Sequence, residues 1–277
     1  MLNPVATAKH MGLTGPPPPT SQYSENIMVT RLPCIGRIHF VKDKGGMMSL
    51  GFVVLYWIYG TWCSLTVILL PHWRDGQTSD FMIFLFCLCS IMCISSLIRV
   101  STLNPGRVPL ISEESSFGID YSHWELCPKC NRKRPPRAHH CRRCQQCVLR
   151  MDHHCPWINN CVGEENHWAF MQLLFWAFCL GSMAFLACQL HFWYYPPCVT
   201  CNKDTFYIKH SIWFNYLLTV LAVFMMLFQA GGLLGQYFNI SMDINGESRT
   251  CALRIGNTYL QSFDNKYMPK EEGRYHQ

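Results

Sequence analysis

The chain has 277 residues, of which 49% are hydrophobic and only 14% are charged, and its formal net charge is +6. An ordinary soluble domain carries about 25% charged residues. The composition therefore argues against a large soluble domain and indicates an integral membrane protein with a polar module. The first 30 residues include four consecutive prolines, Pro16 to Pro19, and hold no apolar run long enough for a cleavable signal peptide.

Residues 1–46 are predicted to be a disordered, Pro-rich tail followed by a membrane-proximal basic segment. Up to about residue 30 the chain is rich in Pro, Ser, Thr and Asn without apolar periodicity, which is typical of disorder. A proline-rich ligand for a partner domain is the alternative. Arg31 to Lys44 mixes basic and apolar side chains, so we expect it to lie along the membrane surface and lead into the first span.

Four long uncharged runs are candidate transmembrane helices, because about 20 apolar residues cross the hydrocarbon of a bilayer. The sequence therefore predicts an all-α integral membrane protein with four transmembrane helices. Residues 47–98 would hold helices 1 and 2, and residues 168–240 would hold helices 3 and 4. The four runs are Met47 to Leu70, Phe81 to Ile98, Trp168 to Leu190 and Ile212 to Leu234.

The distribution of Lys and Arg predicts the orientation. Twenty of the 23 lie before the first run, between the second and third, or after the fourth. By the positive-inside rule these segments face the cytosol, including the loop 99–167, the tail 241–277 and both termini. The loop between the third and fourth runs then faces a lumen or the exterior. There, Cys198 and Cys201 either form a disulfide or remain two free thiols.

The loop between the second and third runs has the highest density of cysteine and histidine in the chain. From Cys127 to Cys161, seven of the 17 cysteines and four of the 12 histidines fall within 35 residues. Repeated Cys-x2-Cys spacing is typical of zinc sites in a reducing compartment. A structural zinc takes four ligands, so eleven candidates fit two zinc ions with three residues left over. The candidates are Cys127, Cys130, His139, His140, Cys141, Cys144, Cys147, His153, His154, Cys155 and Cys161.

The spacing C-x2-C-x9-HC-x2-C-x2-C-x4-DHHC-x5-C-x4-N-x3-F, from Cys127 through Asn166 to Phe170, resembles the cysteine-rich domain of the DHHC family of protein S-acyltransferases (palmitoyltransferases). It covers 44 residues without a gap or a missing ligand. The resemblance implies that residues 99–167 form a cytosolic domain with two zinc ions, each bound by three cysteines and one histidine. The implied sets are Cys127, Cys130, His140 and Cys147, and Cys141, Cys144, His154 and Cys161.

The same resemblance assigns catalysis to three further residues. Cys155 is the implied nucleophile, since a thiolate attacks a thioester. His153 would accept the thiol proton, and Asp152 would orient the imidazole. From the residues alone two structural interpretations stay open, namely Cys155 as a spare zinc ligand and His153 as a hydrogen-bonding neighbour of a zinc site. His139 is interpreted as a structural or surface residue.

The implied activity moves a long-chain fatty acyl group from acyl-CoA (palmitoyl-CoA) to Cys155, and then to cysteine thiols of client proteins at the cytosolic membrane face. Burying the chain among the spans would contribute about 0.8 kcal/mol per methylene, and the basic cluster of the module suits the CoA phosphates. The expected partners are the bilayer, acyl-CoA and client proteins, with no nucleic acid. The family context favours the Golgi apparatus or endoplasmic reticulum, with the plasma membrane as an alternative.

Two departures from the family pattern leave a second functional class open. The usual Asp-Pro-Gly after span two is Asn104-Pro105-Gly106, where Asn keeps the turn-forming character. The usual Thr-Thr-x-Glu after span four is Ile244-Asn245-Gly246-Glu247, which keeps only the Glu. The alternative function is a catalytically weak zinc-containing membrane adaptor that binds the same clients. A nucleic-acid zinc finger is disfavoured, because groove readers need a free recognition element.

Overall fold

The computed structural model describes residues 23–32, 36–108 and 123–245, with side chains described up to residue 241. The Pro16–Pro19 run, Gly246, Glu247 and the rest of the C-terminal tail lie outside the described residues. Within those ranges the chain forms four long helices, one short helix and four two-stranded hairpins.

The four long helices are each long and apolar enough to cross a membrane, which confirms the predicted spans. The first, α1, changes at Ser64–Leu69 from an α-helix to a π-helix and then back. At the start of the second, the Ser79 side chain accepts a hydrogen bond from the backbone nitrogen of Met82, which caps the helix. The helices are α1 (Lys44–Arg74), α2 (Asp80–Thr102), α3 (His167–Trp193), the short α4 (Phe206–Lys209) and α5 (Ser211–Asn245).

Helix α3 lies between α2 and α5 and packs against both. Small residues on α3 and α5 allow this approach, as is usual between membrane helices. A side chain at Gly181 would begin 3.3 Å from Met226 Cγ, so little space remains between α3 and α5 there. Buried apolar residues form one cluster around Phe86 and Ala184 and a second around Leu97 and Phe170.

Between α2 and α3 the chain folds into a module of three short antiparallel hairpins. Their strands are only three residues long and carry Cys or His at half of their positions, so they lack the apolar alternation that would have predicted strands. The all-α prediction therefore holds for the spans and omits these hairpins. The strands are β3 (Glu125–Cys127) with β4 (Arg132–Arg134), β5 (His139–Cys141) with β6 (Gln146–Val148), and β7 (His153–Cys155) with β8 (Asn160–Val162).

A fourth hairpin precedes α1 and is formed by β1 (Ile27–Leu32) and β2 (Gly36–Val41). This differs from the expectation that residues up to about 30 are disordered, since β1 begins at Ile27; the position of the segment along the membrane surface stays a prediction. The physical reason is that Ile27 and Val41 bury their side chains against the cysteine module, next to Cys144. Once these apolar residues have a partner surface, the ordering of the backbone is offset by burial.

Polar contacts fasten this first hairpin to the module. The Ser24 hydroxyl donates to the carbonyl oxygen of Cys144 at 2.6 Å, and the Asn26 amide donates to that of Arg143 at 3.2 Å. In the other direction, the Asn159 amide donates to the carbonyl oxygen of Val41 at 2.8 Å. The first hairpin is thus part of the same compact unit as the cysteine module.

Asn160 joins the module to the end of α2. Its fully buried amide donates to the carbonyl oxygens of Val100 at 3.0 Å and Leu103 at 2.9 Å, two carbonyl groups at the C-terminal end of the helix. Its side-chain oxygen accepts a 2.7 Å hydrogen bond from Arg107, which is also buried. The last turn of α2 is therefore fixed relative to the strand that follows Cys155.

The Asn104-Pro105-Gly106 segment forms the expected turn. Oδ1 of Asn104 accepts from the backbone nitrogens of Gly106 at 3.2 Å and Arg107 at 3.0 Å, and Gly106 has a φ of +94°. This turn packs against Gly163, where an added Cβ would lie 2.5 Å from the carbonyl oxygen of Pro105. Asn therefore serves in the place where the family pattern has Asp.

At the opposite end of the helical bundle, Cys198 and Cys201 form a disulfide, which selects one of the two alternatives left open by the sequence. The Asp75 carboxylate, just after α1, accepts from the backbone nitrogens of Val199 at 2.7 Å and Thr200 at 3.1 Å. These hydrogen bonds hold the disulfide-containing loop against the end of α1.

Candidate metal centres and catalytic site

The three hairpins of the module repeat at an interval of fourteen residues. Cys127, Cys141 and Cys155 are each the last residue of a first strand, and each pairs with the residue five positions further on. The residue before the second strand has a positive φ in every hairpin, at Asn131, Gln145 and Asn159. The same turn is therefore built three times, and each turn begins with a cysteine.

The first candidate metal centre combines the first two hairpins. The nearest ligand atoms of its four members lie within 4.8 Å of one another. Cys130 Sγ lies 3.1 Å from His140 Nδ1 and 3.8 Å from Cys147 Sγ. The four members are Cys127, Cys130, His140 and Cys147, the set implied by the resemblance.

The second candidate metal centre combines the second and third hairpins in the same way. Nδ1 of His154 lies at nearly equal distances from three sulfurs, 3.5 Å from Cys141, 3.6 Å from Cys144 and 3.6 Å from Cys161. Its members are Cys141, Cys144, His154 and Cys161, again the set implied by the resemblance.

Both sets fit a tetrahedral zinc ion. With a Zn–S bond of about 2.3 Å, two sulfurs of a tetrahedral site lie about 3.8 Å apart. The Sγ atoms of Cys144 and Cys161 are 3.4 Å apart, and those of Cys130 and Cys147 are 3.8 Å apart. Three thiolates and one imidazole are also ligands that zinc prefers. The two clusters can hold metal ions, and the hairpins that they join have little apolar core of their own.

Asp43 lies beside the second centre. Its Oδ2 is 3.7 Å from Nε2 of His154, and its Oδ1 is 3.3 Å from the guanidinium of Arg143. A histidine that binds metal through Nδ1 carries its proton on Nε2, and a carboxylate on that side favours the tautomer. Asp43 immediately precedes α1, so the first membrane helix begins next to this centre.

Cys155, His153 and Asp152 lie outside both clusters of four. Nδ1 of His153 is 3.2 Å from Oδ2 of Asp152, and the imidazole is only half-buried. The hydrogen bond with Asp152, followed by interaction with Cys155, raises the pKa of His153 to about 9. A protonated imidazole stabilises a neighbouring thiolate. The hydrogen bond with His153 also lowers the pKa of Asp152 to about 2.

Gln236 of α5 braces Asp152. Nε2 of Gln236 donates to Oδ2 of Asp152 at 2.7 Å, and Nε2 of His167 donates to Oε1 of Gln236 at 2.8 Å. The His167 contact fixes which way the Gln236 amide points, so that its NH₂ group faces the carboxylate. Gln236 is buried. A membrane helix that is remote in sequence thereby holds the carboxylate beside His153.

Cys155 faces the apolar interior. It is 6% exposed and packs in the cluster that contains Leu97, Ile158 and Phe170. A cavity of about 480 Å³ begins at Trp157 and Ile158 and continues between all four long helices. It follows α2 from Leu97 to Phe86, about 16 Å at 1.5 Å per residue. Cys155 does not itself line this cavity; its cluster neighbours Leu97 and Ile158 do.

The structure brings the eight implied metal ligands together in two clusters and places Asp152, His153 and Cys155 beside one another outside them. It leaves His139, the remaining candidate ligand, exposed on β5. Asn166, part of the spacing pattern, ties the end of the module by donating to the carbonyl oxygen of Cys161 at 2.8 Å. Gln236, Asn160 and Ile158 were missed. Gln236 and Asn160 carry no local motif, whereas the fourteen-residue repeat in the printed sequence was a signal for Ile158.

Comparison with known proteins agrees with this arrangement. The family described as DHHC palmitoyltransferase matches residues 120–250. Palmitoyltransferase ZDHHC21 of Mus musculus is 40% identical over 202 residues, which cover 73% of this chain and 74% of that protein. The Homo sapiens ZDHHC21 is 41% identical over the same shares. Palmitoyltransferase ZDHHC7 of Mus musculus is 34% identical over 161 residues, 56% of this chain and 52% of that protein. These matches confirm the family resemblance that the cysteine spacing predicted: the chain belongs to the DHHC palmitoyltransferase family.

Proposed function

We propose that this protein is a protein-cysteine S-palmitoyltransferase that carries the acyl group on Cys155. The observation that carries the proposal is the position of this thiol. It is left out of both metal clusters, it lies next to the His153–Asp152 pair, and it packs against the residues at the mouth of an apolar cavity. Family membership supports the same activity.

In the first step, the Cys155 thiolate attacks the carbonyl carbon of a long-chain acyl-CoA. A sulfur–carbon bond forms to Cys155, and the bond between that carbon and the CoA sulfur breaks. The leaving thiolate takes the proton held on His153, which the raised pKa keeps charged at neutral pH. In the second step, His153 accepts the proton of a client thiol, the client sulfur attacks the thioester, and Cys155 leaves as a thiolate.

The cavity supplies the binding energy for the acyl chain. Its lining is almost wholly apolar, and its size is within the range of small-molecule pockets. A chain that enters past Trp157 would run between α2 and α3 toward Phe86 and Ala184. Basic residues on the exposed surface of the module, such as Arg142 and Arg143, suit the CoA phosphates.

Two zinc ions at the Cys₃His clusters would cross-link the three hairpins and supply no step of the reaction. Residues on the hairpins then hold Cys155 at the end of the helices. We also propose that the module and both termini face the cytosol, because 20 of the 23 Lys and Arg residues lie in those segments. Residence in the Golgi apparatus or endoplasmic reticulum is part of the same proposal.

The test is acyl-enzyme formation on the purified chain. Wild type and Cys155→Ser are incubated with an alkyne-labelled palmitoyl-CoA, and the label is measured before and after hydroxylamine, which cleaves thioesters. We expect label on the wild type that hydroxylamine removes, and none on Cys155→Ser. An unlabelled wild type that retains two zinc ions would favour the adaptor, and equal labelling of both proteins would place the acyl group on another residue.

A further inference from the structure

The fourteen-residue repeat relates the third hairpin, which carries Cys155, to the first two hairpins. Moving the first ligand set forward by fourteen positions gives the second set: Cys127 becomes Cys141, Cys130 becomes Cys144, and the remaining two members also correspond. The strand register moves by the same interval. The two centres are therefore copies of one design, placed one hairpin apart.

A second shift of fourteen positions arrives at the catalytic hairpin. The first ligand position is then Cys155, and the second is Ile158. The remaining two positions fall on Trp168 and Phe175 of α3, neither of which can bind zinc. The third hairpin contributes His154 and Cys161 to the second centre, but its own turn has the thiol of a first ligand position without the rest of a third ligand set.

The backbone of the third turn keeps the form of the other two. The φ of Asn159 is +49°, against +51° for Asn131 and +53° for Gln145. Because the backbones of the turns match, Ile158 occupies the same position relative to Cys155 as Cys144 occupies relative to Cys141. In the second turn that pair of sulfurs belongs to one metal cluster.

Ile158 places an apolar side chain, not a metal ligand, at this position. Its side chain is 1% exposed, packs in the same cluster as Cys155, and lines the apolar cavity. A thiolate bound to zinc is no longer a free nucleophile. Zinc sites commonly use two cysteines that are close together in the sequence, as in Cys-x2-Cys.

We infer that Ile158 is the residue that keeps Cys155 free of metal: the catalytic hairpin is a third zinc-binding turn in which the second ligand has been replaced by an apolar side chain. The inference rests on the proposed role of Cys155 as the nucleophile. It assigns Ile158 two roles. The side chain positions the Cys155 thiol toward the cavity, and it leaves zinc without a second sulfur ligand beside Cys155.

The test restores the missing ligand. In Ile158→Cys, two adjacent thiols would lose their protons to solvent as two zinc–sulfur bonds form, without any oxidant. Only two ligands are present, so the added ion should be weakly held and removable by a mild chelator. The reactivity of Cys155 toward a maleimide is measured on the purified full chain, with and without micromolar Zn²⁺.

We expect added zinc to slow maleimide modification of Cys155 at least tenfold in Ile158→Cys, with recovery on EDTA addition at a dose that leaves the two resident zinc ions bound. Wild type and Ile158→Val should show no zinc dependence. The control Cys155→Ser combined with Ile158→Cys contains the new thiol alone and should bind no additional zinc. Ile158→His, which offers an imidazole at the same position, should show a weaker zinc effect of the same kind.

Folded Ile158→Cys with two resident zinc ions and zinc-independent Cys155 reactivity would overturn the inference. Failure of both the Cys and His variants to fold would also contradict it, since the matching position in the second hairpin holds a cysteine. These measurements do not require acyl transfer. A wild type that never forms an acyl-enzyme would contradict the proposed function. The effect of zinc on maleimide modification of Cys155 could still be interpreted.

Discussion

The side-chain nitrogen of Gln236 donates a hydrogen bond to Oδ2 of Asp152 at 2.7 Å, the same oxygen that lies 3.2 Å from Nδ1 of His153. One carboxylate oxygen therefore connects the fourth membrane helix to the imidazole beside Cys155. The family's motif after span four keeps only its Glu in this chain, and Gln236 provides a contact from the same helix. The brace depends on amide geometry, since His167 orients the Gln236 side chain.

Replacing Gln236 with Leu should slow acylation of Cys155 about tenfold or more, because a hydrogen bond to a charged group contributes about 1.5–3 kcal/mol. The Michaelis constant for palmitoyl-CoA should change less than the rate constant, since the cavity is untouched. The measurement is single-turnover labelling with alkyne-palmitoyl-CoA. Gln172→Leu makes the same change on α3. There the Gln172 side chain accepts a hydrogen bond from exposed Arg99 at 3.4 Å, away from Asp152, so the rate should stay near that of wild type.

A double-mutant cycle separates positioning from general damage. If Gln236 acts through Asp152, then Gln236→Leu should add little to the defect of Asp152→Asn. Fully multiplicative defects would mean that Gln236 affects the rate by another route. Zinc content and thermal unfolding of each variant show whether the module remains intact.

Filling the far end of the cavity should shorten the preferred acyl chain. Ala184 is buried beside Phe86 at the end remote from Trp157, so Ala184→Phe removes space for the last methylenes. Each excluded methylene costs about 0.8 kcal/mol of transfer free energy, which is about fourfold in binding. Competition between myristoyl-, palmitoyl- and stearoyl-CoA should shift toward the shortest. Leu186→Phe adds a ring to the half-exposed, outward face of the same helix and should not alter the preference.

Gly163→Ala should destabilise the junction between the module and α2. The added Cβ would lie 2.5 Å from the carbonyl oxygen of Pro105 and 3.0 Å from that of Leu149, and backbone atoms cannot move aside cheaply. Overpacking of this kind costs about 1–3 kcal/mol. Thermal unfolding in detergent should show a lower midpoint. The matched change Gly51→Ala on α1 meets no atom within 4 Å and should have no such effect. Equal midpoints for the two variants would contradict the close approach.

The purified protein should contain two zinc ions per chain. Cys144→Ser removes one sulfur of the second cluster and should reduce the content to about one, because three ligands hold structural zinc poorly. Since His154 precedes Cys155 in β7, this variant should also lose acylation. Metal analysis and limited proteolysis of the module measure both effects. Retention of two ions in Cys144→Ser would contradict the assigned ligand set.

The four spans and the metal clusters could be predicted from the sequence for different reasons. Helices that cross a membrane need an uninterrupted apolar run, so Trp168 to Leu190 and its counterparts stand out by composition alone. The pairing of His140 with Cys147 instead came from the family resemblance, because spacing leaves several pairings open. The first hairpin escaped notice because Ile27 and Val41 become a core only against the module.

The long-range polar contacts could not be predicted in the same way. Asn160 is 57 residues from the Leu103 carbonyl oxygen that it binds, and Gln236 is 84 residues from Asp152. A lone amide in a sequence does not reveal its partner, since any buried polar group must find one somewhere. The apolar identity of Ile158, by contrast, is visible as a break in a repeat, although the repeat gains its meaning from the matching strand register.

The interleaving of the two clusters has a toxicological consequence. Cys141 and Cys144 belong to one centre while their neighbours His140 and Cys147 belong to the other, so the middle hairpin is shared. A soft ion such as cadmium, which competes for thiolates, or an electrophile that alkylates a single sulfur there would empty that sulfur's own centre and leave the other centre on a loosened hairpin. Modification of one structural thiol should therefore be enough to abolish activity, because it displaces Cys155, the proposed acyl carrier, without modifying it.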